Sequence, residues 1–269
     1  MPFSLQHKCL FIQIPSTSDV SFTKSLGLNE PTDDTPAQDL NGEFALQPLT
    51  EDDLPTIIPL QHLCMKQIQM LGVLDHSLIT DSLKVAFVRN PWDRVMSFYS
   101  NHYHHHSVDF EDFIVKLERI VSFVNENFVF DFKNVFYKEY SELMISTLTE
   151  FSGGIGHSYR GRIISPYAKK SIWVDPHVFP QHLFIYDEFD NNLIDFVGRF
   201  ENYSEDAQHI LNRLGALRYF RNRAGVRKPL IPHLNSLTQL DYREAYNLKT
   251  RDIIYNIFKK DIQTFDYRF

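Results

Sequence analysis

Cysteine is scarce in this chain: only Cys9 and Cys64 occur in 269 residues, each among apolar neighbours. Two such residues exclude a disulfide framework and read as buried, reduced thiols, which suits a cytoplasmic setting. Long hydrophobic runs are missing as well, since no apolar stretch approaches the roughly 18 residues of a membrane span. The opening "MPFSLQHKCLFIQIP" has no basic flank, long apolar segment or small-residue cleavage site, so the sequence predicts a soluble, untargeted protein. Positive charge is in deficit: the formal net charge is −7 and the pI about 5.9, which argues against nucleic acid or an anionic membrane as a partner of the molecule as a whole. Any anion site must therefore be local. No internal repeat is visible. The pattern G-x-x-x-x-G-K-[ST] is nowhere present, which excludes an ordinary P-loop nucleotide hydrolase and a nucleotide kinase of that type.

What the chain does contain is core-forming material. With 43% hydrophobic and 14% aromatic residues it can bury a substantial interior, and residues 1–269 are expected to form one domain. The short apolar runs "CLFIQI" (9–14), "LKVAFV" (83–88) and "HLFIYD" (182–187) have the length and continuity of strands buried on both faces, the mark of a parallel sheet. Between them, "PWDRVMSFYSNHYHH", "FEDFIVKLERIVSFVNENF", "SEDAQHILNRLG" and "LKTRDIIYNIFKKDIQTF" space apolar residues as helices do. Ser204 is placed to cap the third of these, with Gly215 just past its end. Strands alternating with helices predict an α/β fold, a central parallel sheet flanked by helices. Residues 28–53 are acidic, proline-bearing and aperiodic, and read as a long surface loop.

The chemistry concentrates at two strand-to-helix junctions. In "FVRNPWDRVMSFY" (87–99), Asn90 can cap a helix whose first residue is Pro91 and whose first turn carries Asp93. That helix starts just beyond the C-terminal end of a strand, the place where α/β sheets bind ligands. Free backbone amides, the positive end of the helix dipole and the guanidinium of Arg89 all suit an anion there, with Ser97 on the helical face of Asn90 and Arg94. The same pattern also suits a capped helix with a purely structural Arg–Asp pair, and the segment alone leaves both readings open. At the other junction, "LFIQIPSTSDVSFTKSLG" (10–27) places Ser16, Thr17, Ser18, Ser21 and Thr23 directly after a buried strand, a cradle of amides and hydroxyls for phosphate or an ordinary set of helix caps.

Together "IPSTSDVSF", "FVRNPWDRVMSFY", "DFVGRFENYSED", "PHLNS" and "KKDIQTFDYRF" resemble successive motifs of the carbohydrate sulfotransferases and their soluble bacterial relatives, the second sulfotransferase family. The resemblance implies a sulfotransferase fold with a P-loop-like phosphate loop. It also implies 3′-phosphoadenosine 5′-phosphosulfate (PAPS) as donor, with 3′-phosphoadenosine 5′-phosphate (PAP) left as product. By the same resemblance Arg89 and Ser97 hold the 3′-phosphate. Ser16, Thr17, Ser18, Asp19, Val20 and Ser21 surround the 5′-phosphosulfate, and Asn235 and Ser236 of "PHLNS" help close the cofactor site. The chain departs from the pattern at one position. The family loop reads I-P-K-T, its lysine on the phosphosulfate bridge, where this chain has Ser16. Loss of one transition-state donor costs about 2.7 to 4 kcal/mol, so a PAPS- or PAP-binding protein with impaired catalysis is the alternative to an active enzyme. A replacement cation is available from Lys24 or from the loop holding Arg218, Arg221, Arg223, Arg227 and Lys228, which otherwise reads as a solvated basic segment.

Sulfuryl transfer to a hydroxyl or amine requires a base, and histidine has the intrinsic pKa for it. "LQHLCMKQIQMLG" resembles the family segment K-H-A-T followed by a helix, in which the histidine sits beside the acceptor, so His62 is the implied catalytic base; His76 and His233 stand next in line. The cluster His102, His104, His105 and His106 lacks the H-E-x-x-H arrangement and reads as the polar end of a helix, with no metal expected. Only local basic runs interrupt the acidic composition, which favours a small molecule or neutral saccharide as acceptor. Oligomeric state is not readable.

Overall fold

The computed structural model describes residues 3–17, 19–26, 43–46, 56–59, 62–102, 108–127, 176–221, 226–231 and 241–269. In chain order the elements are β1 (Phe3–Ser4), β2 (Cys9–Ile12), α1 (Asp19–Ser25), β3 (Glu43–Leu46), β4 (Thr56–Pro59), α2 (Met65–Leu71), α3 (His76–Thr80), β5 (Leu83–Val88), α4 (Pro91–His102) and α5 (Phe110–Asn127). Then come α6 (His182–Ile185), β6 (Phe196–Arg199), α7 (Tyr203–Arg213), β7 (Tyr219–Arg221), β8 (Arg227–Pro229), α8 (Leu248–Ile257) and α9 (Lys259–Thr264), with short 3₁₀ turns at Pro176–Val178, Phe200–Asn202 and Tyr242–Ala245. The backbone groups into two compact units, one of Met1–Gly42, Leu60–Arg89 and Phe184–Gln239, the other of Glu43–Pro59, Asn90–Leu183 and Leu240–Phe269.

The first unit is built on a four-stranded sheet of order β1-β2-β5-β6, in which β2, β5 and β6 run parallel and β1 is antiparallel to β2. All four residues of β2 and the last four of β5 are buried, as continuous apolar strands in a parallel sheet require. One side of the sheet is filled by Phe11, Phe22, Phe87 and Tyr203, whose rings follow one another at centroid distances of 4.9 Å (11 to 22), 5.2 Å (22 to 87) and 5.2 Å (87 to 203). Gly198 in β6 is the cost of that packing, since a Cβ there would lie 2.5 Å from Cε1 of Phe87. Gly215 ends α7 in the left-handed conformation, φ 64°, and Ala216 N–H closes the turn onto Leu211 O, as a helix C-terminus expects of glycine. Both cysteines are buried free thiols, and burial pushes Cys9 up to about 12 and raises Cys64 further.

Four expectations are corrected here. "HLFIYD" is not a strand: His182–Ile185 form one helical turn, and the third parallel strand is Phe196–Arg199. Asp261 explains the difference, because its carboxylate accepts from the backbone N–H groups of Gln181 (2.6 Å) and His182 (2.9 Å) and from His182 Nδ1 (2.6 Å), fixing a helix start with a residue far off in sequence. Ser204 lies inside α7, whose N-cap is Asn202. Residues 43–46, inside the expected loop of 28–53, form β3 and pair antiparallel with β4; the rest of that segment lies outside the described residues. The basic segment likewise is a two-stranded ribbon of β7 and β8 where it is described.

The second unit is largely helical. Trp92, Val95, Phe98 and Tyr99 of α4 pack with Phe113, Ile114, Leu117, Ile120, Val121 and Val124 of α5 and with Ile253, Ile254 and Ile257 of α8. These positions recur at three- and four-residue intervals, so the amphipathic reading of the three segments holds. Lys249 Nζ meets Glu111 Oε1 at 2.7 Å across α8 and α5, and this contact together with Asn247 holds the exposed Glu111 carboxyl below its usual value. Among the described residues no helix is long and apolar enough to cross a membrane.

Candidate active site

At the C-terminal ends of the parallel strands of the first unit, three chain segments leave the sheet in register. Val88 pairs with Arg199, so Arg89 and Phe200 are the next residues out on adjacent strands. The Arg89 guanidinium lies over the Phe200 ring, its Cζ 3.9 Å from the ring centroid. Its Nη1 also donates to the backbone carbonyl of Ser16 at 3.1 Å, which ties the arginine to the loop that follows β2. Ser16 itself is half-buried and adopts φ 64°, a left-handed conformation that costs a non-glycine residue about 1 kcal/mol or more. The loop is fastened further by Thr17, fully buried, whose hydroxyl donates to Ile14 O at 2.7 Å.

His62 reaches the same loop. It is buried, 6% exposed, and its Nδ1 lies 2.8 Å from the carbonyl oxygen of Gln13. A carbonyl only accepts, so Nδ1 carries the proton and, in the neutral ring, the lone pair is on Nε2. That is the tautomer a base needs, fixed by a hydrogen bond at the far nitrogen. His62 also has a left-handed backbone, φ 63°, immediately before the turn into α2, where Cys64 N–H donates to the Gln67 side chain at 2.9 Å. The Gln13 side chain is buried beside it: Nε2 donates to Thr23 Oγ1 at 3.4 Å, and Oε1 has no hydrogen-bond partner among the described residues.

The first unit therefore brings together Ser16, Thr17, Arg89 and His62, with Ser21 buried on α1. Asp19 and Val20 open α1; Ser18, Asn235, Ser236, Arg223 and His233 lie outside the described residues, as do His104, His105 and His106. Lys24 is exposed on the last turn of α1, and His76 is exposed at the start of α3. Among the described residues, the cation bonded to the loop backbone is Arg89. Sequence reasoning missed the two groups that orient this arrangement, the Gln13 carbonyl and the Phe200 ring. The available signal for Phe200 was an aromatic residue one step past a strand end, beside the arginine's strand.

The second unit holds the rest of the motif. Asn90 Oδ1 accepts from Trp92 N–H at 3.1 Å and caps α4 with Pro91 at its first position, while Asn90 Nδ2 donates to Arg268 O at 2.8 Å. Arg94 is buried and structural: Nη1 and Nη2 donate to Phe179 O (2.9 Å) and His177 O (3.1 Å). Ser97 is half-buried on α4, with Asn101 Nδ2 at 3.5 Å from its hydroxyl.

A sequence profile of the sulfotransferase family matches residues 59–268. The chain belongs to the sulfotransferase family. No curated protein and no solved structure matches it. This sulfotransferase carries His62, Arg89 and Ser97 inside the matched span, whereas the loop with Ser16 precedes it. Membership assigns sulfuryl transfer in general as the chemistry, and the mainly parallel sheet flanked by helices agrees with the family's fold.

Proposed function

We propose that the protein transfers the sulfuryl group of PAPS to a hydroxyl or amine of a small molecule or saccharide, with His62 as general base. One observation carries this reading: the candidate base and the candidate anion-binding cation are both hydrogen-bonded to carbonyls of one loop, His62 to Gln13 and Arg89 to Ser16. PAPS supplies an activated sulfuryl group and a 3′-phosphate for a cation to recognise. Arg89 provides a fork of donors held rigid by Phe200, and the family resemblance gives Ser97 a second contact to that phosphate. As the acceptor oxygen or nitrogen attacks sulfur, Nε2 of His62 takes its proton and the S–O bond to the 5′-phosphate breaks, releasing PAP with the bonding electrons. Left-handed Ser16 and buried Thr17, whose hydroxyl is bonded to Ile14 O, form the start of the loop to which the family resemblance gives the 5′-phosphosulfate.

Ser16 supports a second reading, a PAPS- or PAP-binding protein of little or no turnover, because a hydroxyl brings no charge to the bridge. The deciding assay follows labelled sulfate from PAPS to candidate acceptors in the wild type and in Ser16→Lys. The left-handed backbone penalises both residues alike, so the substitution chiefly adds an ammonium at a half-buried position. Turnover is expected in the wild type and at least about tenfold faster in the variant. Absence of transfer in both, with both stabilised by PAP in thermal unfolding, would establish the binding protein instead.

A further inference from the structure

The ribbon of β7 and β8 has an unusual surface. Its register sets Arg221 opposite Arg227, Phe220 opposite Lys228 and Tyr219 opposite Pro229, and Leu230 N–H extends the ladder to Arg218 O at 2.8 Å. Residues directly opposed in an antiparallel pair share a face. One face therefore carries Tyr219, Arg221 and Arg227, with the Arg227 guanidinium 4.0 Å above the Tyr219 ring, and the other carries Phe220 and Lys228. Arg218, Arg221, Arg227 and Lys228 are all exposed, and residues 218–231 contain no Asp or Glu in a chain of net charge −7.

The apolar side chains distinguish this ribbon from a solvated basic segment. Tyr219 and Phe220 are 44% exposed, Leu230 47% and Val226 52%, whereas aromatic residues of the sheet core, such as Phe11 and Phe87, are fully buried. Interleaved cations and exposed apolar side chains, with no carboxylate between them, match the interfacial zone of a bilayer, where rings and aliphatic groups enter the headgroup layer and arginine and lysine meet phosphates. A soluble polyanion would use the cations but leave Val226, Phe220 and Leu230 in water.

We infer that the β7–β8 ribbon docks the protein on the surface of an anionic phospholipid membrane. The inference is independent of the donor and acceptor proposed above. Co-sedimentation of the full chain with vesicles of phosphatidylcholine, with and without phosphatidylglycerol, tests it. Binding is expected to the anionic vesicles at low salt and to weaken as salt is raised. Each cation removed should lower vesicle affinity about fivefold, so the triple change Arg221→Ala, Arg227→Ala, Lys228→Ala should lower it by about a hundredfold. Phe220→Ser with Leu230→Ser should also weaken binding to anionic vesicles while leaving binding to heparin unchanged. Circular dichroism of each variant confirms the fold. No sedimentation with anionic vesicles, undiminished sedimentation of the folded triple variant, or retention on heparin without vesicle binding would each overturn the assignment.

Discussion

The two strand-to-helix junctions singled out in the sequence are built in opposite ways. After β5, Asn90 caps, Pro91 starts the helix, Asp93 sits in the first turn, and twelve helical residues follow. Every local preference is met. After β2, Ser16 stands left-handed, its carbonyl is engaged by an arginine from another strand, and the helix that follows has seven residues. Backbone strain held in place by tertiary hydrogen bonds is typical of functional sites, whereas relaxed caps are typical of scaffolding. On the proposed function, the Asn90 junction keeps shape and the loop around Ser16 carries the chemistry.

Substitutions at each junction sharpen that contrast. His62→Ala, which removes the proposed base, should cut turnover by about 10² to 10⁴ while donor affinity stays unchanged in calorimetry. Arg89→Ala comes next: the donor should bind more weakly by about 1.5 to 3 kcal/mol, with thermal unfolding little altered. Unchanged donor affinity in this variant would make the arginine a structural tie of the loop. Asn90→Ala should reverse the pattern, lowering stability by about 2 kcal/mol through the lost cap and the lost bond to Arg268 while donor affinity holds. A loss of affinity there would erase the distinction between the junctions. The smallest effect belongs to Phe200→Leu, which keeps an apolar contact but removes the ring; donor binding should weaken by about 0.5 to 1 kcal/mol, with Phe200→Tyr restoring it.

Legibility in the sequence followed the same divide. The Asn90 junction was readable in full because capping and proline placement are local. Strands β2 and β5 were readable because a strand buried on both faces is apolar throughout. The third strand was not, since Gly198 and Arg199 interrupt "FVGR" and only the fold reveals that glycine there admits the Phe87 ring. The apolar run 182–187 misled for a related reason: four or five apolar residues suit helix or strand equally, and the carboxylate that decides the matter, Asp261, is 79 residues from His182. At the candidate site, the two carbonyl contacts that gather His62 and Arg89 onto one loop were not legible, because they depend on tertiary packing.

The placement of β2 has a consequence for where this chain can be cut. The residues that identify the family begin at 59, yet the sheet order β1-β2-β5-β6 puts a strand from residues 9–12 directly beside β5. A fragment starting at the recognised boundary would leave Leu83–Val88 as an open edge whose last four residues are apolar, and would strip Phe11 and Phe22 from the Phe87 ring. Such an edge recruits strands from neighbouring molecules. Expression of residues 59–268 alone is thus expected to aggregate, whereas in the full chain β2 covers that edge.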